Sequence, residues 1–321
     1  MIEEMGSNLY KIEVPLPRSP LKALNSYVIK DSERNLIIDT GWNHEECLRV
    51  MQDSLKRLGM DVGKTDFFIT HSHSDHLGLV SRLASDTATV YFSQIDADRV
   101  KAGFHWDDLI QFARVSGFPE DELQNAVRNH PGLKYGPGMD LSFRLVREGD
   151  VIGVGDNTFQ CIGTPGHTKG HMCLFEPKKQ ILVSGDHLLD DITPNIQLWS
   201  DDWNPLKEYL ESLDKVYAIN IALVLTGHRS TIRNAKKRID ELRSHHLKRL
   251  DEILTILENG RQNAYQIGSQ MQWDLRYDSW DLFPVSQKWF ATGEAISHLK
   301  YLEEQQAIRR EIDNQKIYYL L

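Results

Sequence analysis

Six consecutive residues, His71-Ser72-His73-Ser74-Asp75-His76, place three imidazoles and a carboxylate directly after the apolar run Phe67-Phe68-Ile69. Imidazole and carboxylate are the usual non-thiolate ligands of zinc and its first-row neighbours, and four of them at the end of a strand can point into a common space. His71 and His73 are two apart, so both side chains leave an extended segment on one side. Asp75 and His76 must then occupy a turn and face a second position. The fold therefore has to bring the end of this strand to whatever completes the site.

Other strands end in the same way. Asn35 to Ile38 runs into Asp39-Thr40-Gly41; Thr158 to Ile162 leads to His167 in the turn Thr164-Pro165-Gly166-His167-Thr168; Ile181 to Val183 leads to Asp186; Ile221 to Thr226 leads to His228. Between Asp39 and the histidine-rich stretch, apolar Cys47, Val50, Met51, Leu55 and Leu58 recur at helical spacing and Gly59 ends the run, which predicts a strand-helix-strand unit. His71, His73 and His167 then make three ligands for one metal, Asp75, His76 and His228 three for another, and Asp186 can bridge them. A water or hydroxide fits between the two ions at the open position of a catalytic site. His44, His105, His130, His187, His245, His246 and His298 read as ordinary surface or core histidines, His187 because its side chain should leave the backbone opposite to that of Asp186.

The chain of 321 residues can bury a large core, and its formal net charge of -9 argues against a partner bound through bulk basic charge. The start lacks the basic and apolar regions of a signal peptide, and no run approaches the roughly 18 apolar residues of a membrane span. A cytoplasmic protein without membrane association is expected. Cys47, Cys161 and Cys173 form no CxxC pair and read as reduced, buried thiols.

Residues 1–230 form the expected catalytic domain, with a helical insertion at about 96–130 carrying Phe104, Trp106 and Phe112, either a cover over the site or plain packing. Residues 231–321 read as three helices and a hairpin turning at Asp313-Asn314, a winged-helix-like appendage packed against the first part. A DNA-binding role for this tail is disfavoured, because Glu294, Glu303 and Glu304 crowd the helix that would enter the groove. It reads instead as a packing or dimerisation element with Trp273, Trp280 and Trp289 in its core or interface.

The motifs at Asp39, His71 to His76, His167, Asp186 and His228 together resemble those of the metallo-β-lactamase-fold hydrolase superfamily, over roughly residues 8 to 230. The tail, notably His245-His246-Leu247-Lys248-Arg249-Leu250 and Gly293-Glu294-Ala295, is similar to the extension of the branch containing β-lactamase-like protein 2, and Pro165-Gly166-His167-Thr168 to glyoxalase II-like enzymes. The resemblance implies an α/β fold, a four-layer αββα sandwich with the site at one edge, and gives Asp39 the role of orienting the metal-bound groups. Departures narrow the substrate. Asp186 stands where the commonest true β-lactamases of the fold have a metal-binding cysteine, His73 stands where the diiron flavoproteins have glutamate, and Asp186 is not followed by the basic residues that hold glutathione.

The favoured activity is hydrolysis of a small ester, thioester or lactone by hydroxide held between two divalent ions, with Asp75 orienting it and passing a proton to the leaving group. Zinc is the expected metal, although nitrogen and oxygen donors also accept iron or manganese. The alternative is cleavage of single-stranded RNA or another phosphodiester, with Arg229, Arg233, Lys236, Lys237 and Arg238 holding phosphates; a solvated helix face balanced by Asp240 and Glu241 is the plainer reading of that cluster.

Overall fold

The computed structural model describes residues 1–6, 8–103, 106–138, 141–274 and 277–321, so Phe104 and His105 lie outside the described residues. Strands β1 (Ile2–Gly6), β2 (Leu9–Pro15), β3 (Ala23–Ile29), β4 (Asn35–Ile38), β5 (Thr65–Ile69), β6 (Val90–Ser93) and β7 (Arg144–Val146) form one sheet in sequence order. The pairing is antiparallel through β4 and parallel from β4 to β7. Parallel neighbours need a crossover. Helix α1 (Glu45–Arg57) makes the first, α2 (Ser74–Leu77) and α3 (Val80–Leu83) the second, and α4 (Gln94–Ala102), α5 (Trp106–Val115), α6 (Glu120–Asn129) and α7 (Pro131–Tyr135) the third. The helical segment foreseen at 96–130 is thus an enlarged crossover.

A second sheet, ordered β12-β11-β10-β9-β8, comprises β8 (Val151–Val154), β9 (Asn157–Gly163), β10 (Met172–Glu176), β11 (Ile181–Gly185) and β12 (Leu223–Thr226). Its one parallel pair, β11 with β12, is crossed by α8 (Pro205–Tyr217), an element absent from the sequence argument. The signals for it are present: Asn204 caps the Lys207 N–H, Pro205 occupies the first turn, and Leu206, Tyr209, Leu213 and Val216 bury one face.

The period of two in the strands sorts their side chains into layers. Tyr27, Ile29, Leu36, Ile38 and Phe68 of the first sheet meet Phe159, Cys161, Met172, Leu174, Val183 and Leu225 of the second. The alternate residues Val28, Ile37, Phe67, Ile69 and Phe92 face outward onto Cys47, Met51, Leu55, Leu77 and Val80. Helices thus cover the outer faces of two packed sheets, the αββα arrangement. All three cysteines are free and buried.

The tail consists of α9 (Ala235–Leu257), α10 (Ala264–Gln270), α11 (Val285–Glu304) and the hairpin β13 (Arg309–Asp313) with β14 (Lys316–Leu320), which turns through Asn314 and Gln315 at φ 48° and 63°. One apolar cluster joins Ile239 and Ile253 of α9, Ile267 of α10, Trp289 and Leu299 of α11 and Tyr319 of β14 to Cys173, Leu182 and Val224 of the second sheet and to Ala113 and Leu123 of the enlarged crossover. Trp289 is buried and stacks on Trp199, while the indole of Trp273 donates to the Gly268 carbonyl. Glu294 is buried rather than displayed on a surface, which corrects its reading as a phosphate-repelling group. Among the described residues, no helix is long and apolar enough to cross a membrane.

His130 joins the crossover to this tail. Its Nδ1 accepts from the Gly132 N–H that opens α7, and its ring packs on Trp106, Trp289 and Phe290. Burial pushes its pKa from 6.5 down to about 4. The unfolded chain then binds the proton more readily, so the stability His130 contributes is complete above about pH 6.5 and is lost as pH falls toward about 4. His130→Phe keeps the aromatic packing but loses a cap of about 1 kcal/mol. Its Tm should lie below wild type at about pH 7.5 and above it at about pH 4.5; a difference of constant sign across that range would refute the assignment.

Candidate metal centre

Every ligand-type residue of the sequence argument sits just past a strand of one of the two sheets. β5 delivers His71 and His73; α2, entered through His73, carries Asp75 and His76 in one turn; the β9–β10 loop carries His167; Asp186 follows β11; His228 follows β12. The small residue between strand and ligand has a steric cause at Gly227, where a Cβ would stand 2.5 Å from Asp186 Oδ1 and 3.0 Å from His76 Cε1. The structure gathers these residues into three overlapping groups whose donor atoms lie within 4.8 Å of one another: His71, His73 and His167; His71, His76 and Asp186; and Asp75, His76 and His228.

Hydrogen bonds on the far side of each ring fix which nitrogen faces the centre. His167 Nδ1 donates to the Asn195 carbonyl at 2.8 Å and His228 Nδ1 to the Ala23 carbonyl at 2.7 Å. A carbonyl can only accept, so each Nδ1 carries a proton and Nε2 is the nitrogen turned inward. His76 Nδ1 donates to Asp39 Oδ2 at 2.8 Å. Asp39, at φ 59°, also accepts the Thr70 N–H on Oδ1 and the Thr70 hydroxyl on Oδ2. Having given its proton to Asp39, the Thr70 hydroxyl accepts from His71 Nδ1 at 3.0 Å, which again turns Nε2 inward. Asp39 thus touches the back of the centre and not its interior.

The inward atoms are spaced as ligands are. Asp186 Oδ1 lies 3.4 Å from His76 Nε2 and 3.5 Å from His228 Nε2, and Asp186 Oδ2 lies 3.5 Å from His167 Nε2. Asp75 Oδ2 is 3.4 Å from His228 Nε2. These are long for hydrogen bonds, yet two donors each about 2.0–2.1 Å from one tetrahedral ion stand about 3.4 Å apart. The Nε2 atoms of His76, His167 and His228 and Asp186 Oδ1 are buried with no hydrogen-bond partner. Buried polar atoms without partners are costly, and divalent cations held by these overlapping groups would satisfy all four. The residues fit divalent ions, with the two oxygens of Asp186 turned toward different imidazoles.

The charges lead to the same conclusion. Burial alone would raise the pKa of Asp186 and Asp75, but His228 and His76 hold Asp186 well below the carboxylate range and Asp75 at about 2. Burial alone would lower His76 and His228, but Asp39 and Asp186 drive His76 well above its usual value, and Asp186 with Asp75 drives His228 to about 10. Three buried carboxylates demand positive charge, which imidazoles supply by protonation and divalent cations supply without it. Burial holds His71, His73 and His167 below the usual imidazole value, as metal ligands require.

Several residues that shape the centre carried no signal in the sequence argument. His171 Nε2 accepts the Asp186 N–H, and its Nδ1 meets the Thr164 hydroxyl. Asp96, fully buried, accepts from the Ser72 and Gly170 N–H groups and from the Thr168 hydroxyl. The only hint was His171 itself, four residues after His167. His187 is buried beside His171 and Tyr209 and joins none of the ligand groups. Of the basic residues after His228, Arg229 donates to the Pro20 carbonyl, Arg238 to the Leu189 and Ile192 carbonyls and to Glu241, Lys237 pairs with Glu241, and Lys236 lies over the Tyr217 ring.

Comparison with known proteins agrees with this geometry. Residues 21–228 match the family described as the metallo-beta-lactamase superfamily, and residues 279–319 the family described as the metallo-beta-lactamase-like C-terminal domain. The atrochrysone carboxyl ACP thioesterase of Aspergillus fumigatus is 23% identical over 77% of this chain and 64% of its own length. The beta-lactamase-like protein 2 homolog of Caenorhabditis elegans is 23% identical over 74% of this chain and 66% of its own. The crystal structure of a metallo-beta-lactamase family protein from Thermus thermophilus superposes with a TM-score of 0.82 at 26% identity, covering 98% of each chain.

Proposed function

The chain belongs to the metallo-beta-lactamase superfamily, and from that membership we propose that it is a binuclear metallo-hydrolase of a small ester, thioester or lactone. The observation that carries the reading is the convergence of unpartnered His76, His167 and His228 Nε2 atoms on Asp186. His71, His73 and His167 would hold one ion, Asp75, His76 and His228 the other, and Asp186 both. When bound, two divalent ions lower the pKa of a water toward neutrality and polarise a carbonyl oxygen. The chain itself orients and excludes. Asp39 and Thr70 lock the His71 and His76 rings, the Asn195 and Ala23 carbonyls lock His167 and His228, and burial strengthens every charge interaction in the centre. Asp75, ionised with a pKa of about 2, orients the attacking water and passes its proton to the leaving group.

The acyl class is favoured by two considerations. A relative bears the name of a thioesterase, and Arg229, Lys236, Lys237 and Arg238 are spent on carbonyls, carboxylates and a tyrosine ring rather than gathered toward a phosphate. Zinc is the proposed metal. Metal-loaded protein should be assayed in parallel on acyl-thioesters, aryl esters, lactones, bis(p-nitrophenyl) phosphate and a labelled RNA. Turnover of an acyl substrate or lactone is expected, lost with chelator and restored by adding metal back. Turnover of RNA alone would overturn the reading.

A further inference from the structure

The carbonyl that fixes His167 belongs to Asn195, and Asn195 is held by the tail. Its Nδ2 donates to Glu294 Oε2 at 2.9 Å, a contact spanning 99 residues, and Glu294 is a buried carboxylate on α11. The following segment lies on the same helix. The Leu198 N–H donates to the Gly293 carbonyl at 3.0 Å, and a Cβ at Gly293 would stand 2.8 Å from the indole nitrogen of Trp199. Trp199 in turn stacks on Trp289 with ring centroids 4.0 Å apart. Residues 195–199 have no helix or strand of their own, so their position is set by α11. A ring nitrogen aimed into a charged centre needs its opposite nitrogen held, and here the holder is itself held from outside the two sheets.

We propose that Glu294 is a positioning residue: through Asn195 it sets the His167 ring, so that α11 forms part of the centre although it contributes no ligand to it. The inference rests on the reading of His167 as a metal ligand. It explains why a buried carboxylate on α11 bonds a loop residue, while its other oxygen stays 4.0 Å from His245 Nε2.

The test is metal affinity at equilibrium, measured by dialysis against zinc with a competing chelator, beside kcat and KM, for wild type, Glu294→Ala, Glu294→Gln, Asn195→Ala, the Glu294→Ala/Asn195→Ala double variant and His167→Ala. Asn195→Ala keeps the backbone carbonyl and cuts only the tether, so it tests the same link with a smaller disturbance of the core. Loss of such a supporting contact weakens metal binding by about ten- to a hundredfold. That loss is expected in both single alanine variants, with no further loss in the double variant and recovery to near wild type in Glu294→Gln, whose amide oxygen can still accept from Asn195. If His167→Ala binds zinc as wild type does, the metal reading itself fails. If His167→Ala loses zinc while Asn195→Ala and Glu294→Ala bind it normally, or their losses add in the double variant, the positioning role is overturned and the metal reading stands.

Discussion

Asp186→Ala is expected to lose bound metal and turnover together. Its two oxygens stand 3.4 to 3.5 Å from the inward nitrogens of His76, His228 and His167, and these imidazoles come from the ends of three different strands. Without the carboxylate, two imidazoles driven toward protonation and a third held neutral by burial lose their common partner. Removing one electrostatic stabiliser of a developing charge costs roughly 10²–10³ in rate. A residue that also holds the cations should cost at least that much in kcat/KM, with metal per protein falling in the same preparation. Asp186→Asn, which keeps the volume and one carbonyl oxygen but not the charge, should fall between. Elemental analysis of dialysed protein beside the acyl assay reads both quantities, and Asp186→Ala with full metal and full activity would remove it from the centre.

What was legible beforehand and what was not divides on a physical line. The two sheets could be read because strands buried on both faces, such as Asn35–Ile38 and Thr65–Ile69, are nearly continuous apolar runs, and because turn chemistry marks their ends. The residues gathered at the centre could be read because each lies within a few residues of such an end. Helix α8 was missed although Asn204-Pro205 announced it, since nothing in the chemistry drew attention to that span. The residues that hold the others in place were illegible for a different reason. Asp96 bonds Ser72, Thr168 and Gly170, and Glu294 bonds Asn195, across separations from 24 to 99 residues. No local pattern encodes such pairings, because they depend on how strand ends and helices come together after folding. Glu294 shows the cost of local reading: on charge alone it belongs on a surface, and its partner becomes visible only once the segment after Asp186 lies along α11.

Asp96 carries the second large effect, and it separates holding a loop from holding an ion. Ser93 caps the Asp96 N–H at the start of α4, which aims the side chain at two loops. Oδ2 accepts the Ser72 N–H and the Thr168 hydroxyl, each at 2.8 Å, and Oδ1 accepts the Gly170 N–H at 3.0 Å. Ser72 lies between His71 and His73, and Thr168 follows His167, so one buried carboxylate joins the two loops that carry the three-imidazole group. Asp96→Ala leaves three buried donors without an acceptor, each costing about 1–3 kcal/mol, for a loss of at least about 3 kcal/mol from a domain whose margin is typically about 5–15 kcal/mol. Asp96→Asn keeps one accepting oxygen and should fall between Ala and wild type in Tm. Neither variant removes a ligand. Metal content should therefore recover when Asp96→Asn is titrated with excess zinc, whereas Asp186→Ala should stay deficient under the same titration. An Asp96→Asn protein with wild-type Tm and metal affinity would show that the two loops are held in register by their own packing.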